Sequence, residues 1–233
     1  MIVVKGLTKM YPGETLALDN VTFTIPRGQM AFLVGPNGAG KTTLFKLLIR
    51  EERPTSGCIL FDGVDVSTLK RRQLERHRRR IGAIFQDVRL LPYRTVFENV
   101  ALPLEADGLR GEAVNEKVAA TLFLSGLEAL ADRFPSELSG GQQQQVAVAR
   151  ALVSHPEVIL ADEPTGNLSP DSTQRVMRLF RVISELGIAV IVSTHNREIV
   201  DDMRRRVLVL ESGRLVDDIA SGAYPLSLIG QAA

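Results

Sequence analysis

The chain has 233 residues, 45% of them hydrophobic and 24% charged, and its 28 Lys and Arg nearly balance 27 Asp and Glu to leave a net charge of +1. That composition supports a sizeable globular core and excludes a strongly basic protein that holds nucleic acid by bulk electrostatics, so no nucleic-acid partner is expected. A lone cysteine, Cys58, excludes an internal disulfide framework, and the opening MIVVKGLTKMYPG lacks the basic-then-apolar layout of a signal peptide; with no apolar run near the roughly 18 residues of a spanning helix, the expected location is cytoplasmic.

Residues 1 to 34 read as strands. Val21, Phe23 and Ile25 alternate with Thr22 and Thr24, Pro26-Arg27-Gly28 is a turn, and the unbroken run Met30 to Val34 suits a buried strand. Leu44, Leu47 and Leu48 have helical spacing within Thr42 to Arg50, and strand-like CILF with a turn at Gly63 follows. The basic stretch Lys70 to Arg80 holds only Glu75 as counter-charge. A solvated helix face is the expectation there, and seating against anionic lipid headgroups is the alternative.

After the strand IGAIF, residues from about 88 to 156 change character: helix-forming runs such as EAVNEKVAATLFLSGL and GQQQQVAVARALV dominate. Alternation returns with EVILADEP, a helix from Pro170 to Leu186, the strand GIAVIVSTH and a last short strand, RVLVLES. Apolar strands separated by helices imply a mainly parallel sheet covered on both faces, with ligands at the carboxyl ends of its strands. The expected organisation is one domain over 1–233: a core from 1–87 and 157–222, a helical subdomain over 88–156 and a tail over 223–233.

Between the strand MAFLV and the helix lies GPNGAGKT, in which Gly35 and Gly40 frame Pro36, Asn37, Gly38 and Ala39 and lead into Lys41, Thr42 and Thr43. Glycines let successive backbone N–H groups turn toward phosphates, and the helix amino terminus adds positive potential. Lys41 is suited to the terminal phosphates of ATP and Thr42 to Mg²⁺. A glycine-rich turn without a ligand explains neither the lysine nor the strand-loop-helix context.

The run Val158 to Ala161 delivers two acids at a strand's carboxyl end. Asp162 is suited to hold Mg²⁺ and Glu163 to orient or deprotonate an attacking water. In LSGGQ, Ser139 with Gln142 three residues on fits a capping box, yet Gly140 and Gly141 weaken a helix start, a cost that makes sense where bare backbone approaches an anion. Two anion-binding helix starts result. Either one nucleotide engages both within a chain, or two chains pair so that each site borrows the other's loop.

GPNGAGKTT, LSGGQ and ILADEP together resemble the ATP-binding-cassette ATPases over essentially the whole chain. The resemblance implies a P-loop NTPase fold of the α/β class, with a mainly parallel core sheet, a small antiparallel β subdomain and a helical subdomain. It implies ATP hydrolysis in a head-to-tail homodimer, with each ATP between the phosphate loop of one chain and Ser139, Gly140 and Gly141 of the other. It further places Tyr11 at the adenine, Gln86 at Mg²⁺ and water, and His195 at the terminal phosphate.

Arg78 to Leu104, and Arg94-Thr95-Val96 within it, is similar to the bacterial cell-division branch of that family, whereas the ending ADEPTGNL is shared with lipoprotein-releasing and macrolide-export ATPases. The first resemblance implies an integral membrane partner of the FtsX type, peripheral attachment at the cytoplasmic face of the inner membrane and control of cell-wall hydrolases. Within this chain docking is expected along Gln86 to Val100, the junction of core and helical insertion, because a loop that senses the terminal phosphate can move what is docked there. Two positions depart from the family: Ser169 stands where Asp is usual, and Gln145 where Arg is usual. A soluble cassette acting on nucleic acid is disfavoured by the single cassette without a heptad run, and a switch that barely hydrolyses is disfavoured by Glu163.

Overall fold

The computed structural model describes residues 1–225 and 228. Among the described residues ten strands form two sheets. The smaller is antiparallel and runs β2 (Thr15–Ile25), β1 (Ile2–Tyr11), β4 (Ser56–Phe61), β5 (Val64–Asp65). The larger runs β10 (Arg214–Ile219), β9 (Arg206–Glu211), β3 (Met30–Val34), β8 (Ala189–Ser193), β7 (Val158–Asp162), β6 (Ile81–Ile84), parallel at every pairing except β10 with β9. The mainly parallel α/β core with a small antiparallel sheet is the fold that the resemblance implied.

All five residues of β3 are buried because the strand is covered on both faces. Its side chains alternate between two cores. Ala31 and Leu33 face the side where α1 (Lys41–Leu48) inserts Leu44, Leu47 and Leu48 between the two sheets. Met30, Phe32 and Val34 face α6 (Pro170–Glu185) and α5 (Gly140–Leu152) on the other side. Phe180 of α6 is fully buried there. Truncating it to Ala removes apolar contact and leaves a cavity, a loss of about 3–5 kcal/mol.

Between β6 and β7 the chain carries α3 (Val96–Ala106), α4 (Glu112–Ser125) and α5, which close a third core around Val100, Leu104, Val118, Leu122 and Val146. Thr95 starts α3 with a capping box: its Oγ1 accepts the Glu98 N–H at 3.2 Å and Glu98 accepts the Thr95 N–H at 2.8 Å. The basic stretch becomes α2 (Arg71–Arg79), and α7 (Arg197–Met203) follows β8. Among the described residues no helix is long and apolar enough to cross a membrane. Of the expected tail 223–233, residues 226–227 and 229–233 lie outside the described residues.

Strand order positions the site. β3, β8, β7 and β6 are consecutive, parallel neighbours, so their carboxyl ends share one rim of the sheet. At that rim the chain presents, in turn, the loop from Gly35, then His195, then Asp162 and Glu163, then Gln86.

Candidate active site

Helix α1 starts at Gly40, whose φ of 103° lies in the left-handed region, with no side-chain cap and no acid in the first turn. A Cβ at Gly40 would fall 2.5 Å from the Ala17 carbonyl oxygen of β2, so only glycine fits. The uncapped first-turn N–H groups remain as anion donors. Lys41 Nζ donates to the Gly35 carbonyl at 2.6 Å and to the Pro36 carbonyl at 3.1 Å, which folds the ammonium over the loop. Burial pushes the Lys41 pKa down, and the neighbouring Glu163 and Asp162 carboxylates oppose that shift.

Thr42 Oγ1 donates to Asp162 Oδ2 at 2.8 Å, while Asp162 Oδ1 accepts the Ser193 hydroxyl. The carboxylate ending β7 is thereby fixed between the first turn of α1 and the last residue of β8. Thr42, Asp162 and Gln86 line one cleft of about 400 Å³. Hydroxyl, carboxylate and amide oxygens are hard donors that fit a magnesium ion sharing its sphere with water and phosphate.

Glu163 takes a φ of 48°, unusual for a residue with a side chain. Its N–H donates to both the carbonyl and the hydroxyl of Ser193, each at 3.1 Å, which holds the strained turn. Its Oε2 lies 3.0 Å from His195 Nδ1, the imidazole being mostly exposed and the carboxylate 15% exposed. The two face a cleft of about 200 Å³. Ser193 is the residue that sequence reasoning missed: fully buried at the end of β8, it orients Asp162 through its hydroxyl and Glu163 through its carbonyl. The available signal is the one hydroxyl closing an apolar strand.

Tyr11 ends β1 opposite Thr15, two residues along β2 from the Ala17 carbonyl that abuts Gly40. The Lys9 ammonium sits 4.7 Å from the centre of its ring, pinned by Glu52 at 2.8 Å and the Arg53 carbonyl at 2.9 Å, a cation–π contact that orients the ring.

The second helix start is built differently. Ser139 Oγ accepts the Gln142 N–H at 3.3 Å and Gln142 accepts the Ser139 N–H at 2.8 Å, so the capping box is formed. A Cβ at Gly141 would lie 2.4 Å from Ser172 Oγ of α6, whereas at Gly140 the nearest atom would be 3.9 Å away. Packing of α5 on α6 alone therefore requires glycine at 141; nothing packed around 140 does. Residues 138–142 line neither the Thr42 cleft nor the Glu163 cleft. Gln145 Nε2 donates to the Ser125 carbonyl at 3.3 Å and ties α5 to the end of α4.

A phosphate-cradling loop opening an uncapped helix, beside a strand that ends in paired carboxylates on a parallel sheet, defines a P-loop nucleoside triphosphatase. Within that class the chain belongs to the ABC transporter family, whose model matches residues 18–166. It is 45% identical over 224 residues to the cell division ATP-binding protein FtsE of Bacillus subtilis (strain 168), covering 96% of this chain and 98% of that one. It is 46% identical over 221 residues to the methionine import ATP-binding protein MetN of Haemophilus influenzae (strain 86-028NP), covering 93% of this chain and 64% of that one. A solved dimeric ATP-binding cassette in a post-hydrolysis state, bound to ADP and Pi, matches with a TM-score of 0.83 and 33% identity over 96% of this chain and all of the other. The chain binds ATP and is an ATPase.

Proposed function

We propose that the chain is the ATP-hydrolysing subunit of a membrane complex of the FtsE type, with an FtsX-type integral membrane protein as partner and control of cell-wall hydrolases as output. The observation that carries this reading is the end-to-end match: FtsE is covered over 98% of its length, whereas MetN, at similar identity, is covered over 64%.

In this reading the amides of Gly38 to Thr43 and the Lys41 ammonium bind the phosphates, with Gly35, Pro36, Asn37, Ala39 and Gly40 shaping their loop. Tyr11 carries the adenine. Thr42, Asp162 and Gln86 hold Mg²⁺, which when bound neutralises charge building on the phosphate oxygens. Glu163 accepts a proton from the water whose oxygen bonds to the terminal phosphorus as the bond to the ADP oxygen breaks, and His195 orients both. Ser139, Gly140, Gly141 and Gln142 serve the nucleotide of a second chain in a head-to-tail dimer. Support comes from their separation from both clefts, from the open surroundings of Gly140 and from the dimeric cassette above.

Docking is assigned to the loop between β6 and α3. Tyr93 is 92% exposed there, with Phe85 and Leu91 also exposed. Beside the helical subdomain runs a cleft of about 510 Å³, walled by α2, α3 and α5 residues such as Arg79, Leu102, Pro103 and Arg150. Apolar walls with cationic rims suit an amphipathic cytoplasmic helix bearing acidic residues. The chain then sits peripherally on the cytoplasmic face of the inner membrane.

The test is a pull-down from native membranes with Glu163→Gln chains holding ATP. An FtsX-type protein is the expected co-purifying partner. Recovery of a lipoprotein-releasing, macrolide-export or import permease instead overturns the cell-division assignment.

A further inference from the structure

Arg150 lies in the last turn of α5, on the helix that Ser139 opens, and its guanidinium crosses to the loop carrying Gln86. Nη1 donates to the Arg89 carbonyl at 2.9 Å and Nη2 to the Val88 carbonyl at 3.0 Å. Those two carbonyls follow Gln86 by two and three residues. The loop turns sharply here: Arg89 has a φ of 48°, and its own guanidinium stacks 4.8 Å from the Phe85 ring on the far side of Gln86.

Among the described residues Arg150 has no carboxylate partner; it spends a partly buried cation on two carbonyl oxygens. Desolvating a charge for bonds that a neutral donor also makes is unfavourable unless the geometry matters. A planar fork binding two successive carbonyls fixes both distance and direction, which a lysine or an amide cannot do. A helix of 13 residues is a rigid rod of about 20 Å, so displacement at its start is carried to its end.

We propose that Arg150 is a positioning residue for ATP hydrolysis, clamping the Gln86 loop to the helix that starts at Ser139 so that each helical subdomain and its own Gln86 move together. This rests on the reading above, in which Ser139 meets the nucleotide of a second chain and Gln86 meets the chain's own. Closure of the helix start on one ATP then sets Gln86 at the other, which links the two sites through a named contact.

The test compares Arg150→Lys and Arg150→Gln with wild type in the full chain, alone and with its membrane partner, and runs Glu163→Gln in parallel. For Arg150→Lys the expected result is a kcat reduced about tenfold, the size of effect that a small misplacement of a catalytic group produces. ATP affinity is expected to stay within about twofold, because the phosphate loop is untouched. Hydrogen exchange should quicken in residues 85–95 and not along α5. A kcat unchanged in both variants overturns the proposal. So does an affinity that falls in step with kcat, or a lowered melting temperature with faster exchange throughout α5, since those mark a merely structural role. Failure of the underlying reading shows elsewhere, as Glu163→Gln chains that stay monomeric in the presence of ATP.

Discussion

Ser169 does the work of a cap. Its Oγ accepts the Ser172 N–H at 3.4 Å and its hydroxyl donates to Ser172 Oγ at 3.0 Å, with Pro170 in the first turn and Asp171 beside it. Asp caps as well as Ser, so replacing Ser169 by the acid usual in the family leaves α6 intact. What changes is charge beside the start of α5, because Ser172 is the residue against which Gly141 packs. Ser169→Asp is expected to keep the melting temperature and to retain hydrolysis while altering the Hill coefficient for ATP. Unchanged rate and unchanged cooperativity would show that this position does not link the sites. Residues whose chemistry is local were legible in the sequence: a glycine-framed lysine and adjacent acids after an apolar strand have few other uses. Ser193 was not, because one hydroxyl in AVIVS reads as a tolerated small residue until β8 is known to lie between β3 and β7.

Helix α2 shows the same limit for an element. Its sequence gives a solvated basic face, and Arg71, Arg72 and Arg76 are indeed exposed. The inner face is anchored by His77, 4% exposed, whose Nε2 donates to the Leu48 carbonyl at the end of α1 at 2.8 Å and whose ring meets Phe61 edge-on. Arg78 is spent on the Ile49 and Arg50 carbonyls, Arg79 on Asp107 and Arg71 on Glu75, so a test of lipid attraction belongs at Arg72 and Arg76 rather than at 78 and 79. Burial lowers the His77 pKa, and Arg80, Arg78 and Arg50 lower it further against the Leu48 hydrogen bond. A His pKa depressed in the folded state means that the unfolded chain binds the proton more tightly. Stability is therefore present above the unfolded value of about 6.5 and is lost as pH falls through the folded one. Melting temperature is expected to drop between about pH 7 and pH 5, and His77→Gln, which keeps a donor for Leu48, should flatten that slope. A slope as steep in the variant would place the acid sensitivity elsewhere. Elements α7 and β10 escaped the sequence reading for a related reason. The first is seven residues under an Asn196 cap, and in RLVDDI Asp217 interrupts the alternating apolar face that Leu215 and Ile219 would otherwise mark.

At the scale of the whole molecule the open choice was between one chain closing on its nucleotide and two chains sharing a pair, and no local pattern decides between them. Strand order and chain pairing are long-range properties; nothing in MAFLV says that it will lie beside AVIVS, about 160 residues on. Complementation separates the two arrangements. Lys41→Ala disables a phosphate loop and leaves residues 139–142 intact; Gly140→Asp does the reverse, placing a carboxylate where an anion is to be met. Neither variant alone retains a complete site in either arrangement. Mixed head-to-tail, the Gly140→Asp chain supplies its good loop to the Lys41→Ala chain's good helix start, and one of the two sites is restored. Random pairing makes half the dimers mixed, each with half its sites, so the mixture is expected to recover about a quarter of wild-type hydrolysis. Sites closed within one chain recover nothing, since both halves of any complete site would then have to come from the same polypeptide. A mixture that stays as inactive as its components, while Glu163→Gln chains with ATP sediment as monomers, removes the dimer and with it the coupling argued for Arg150 and Ser169.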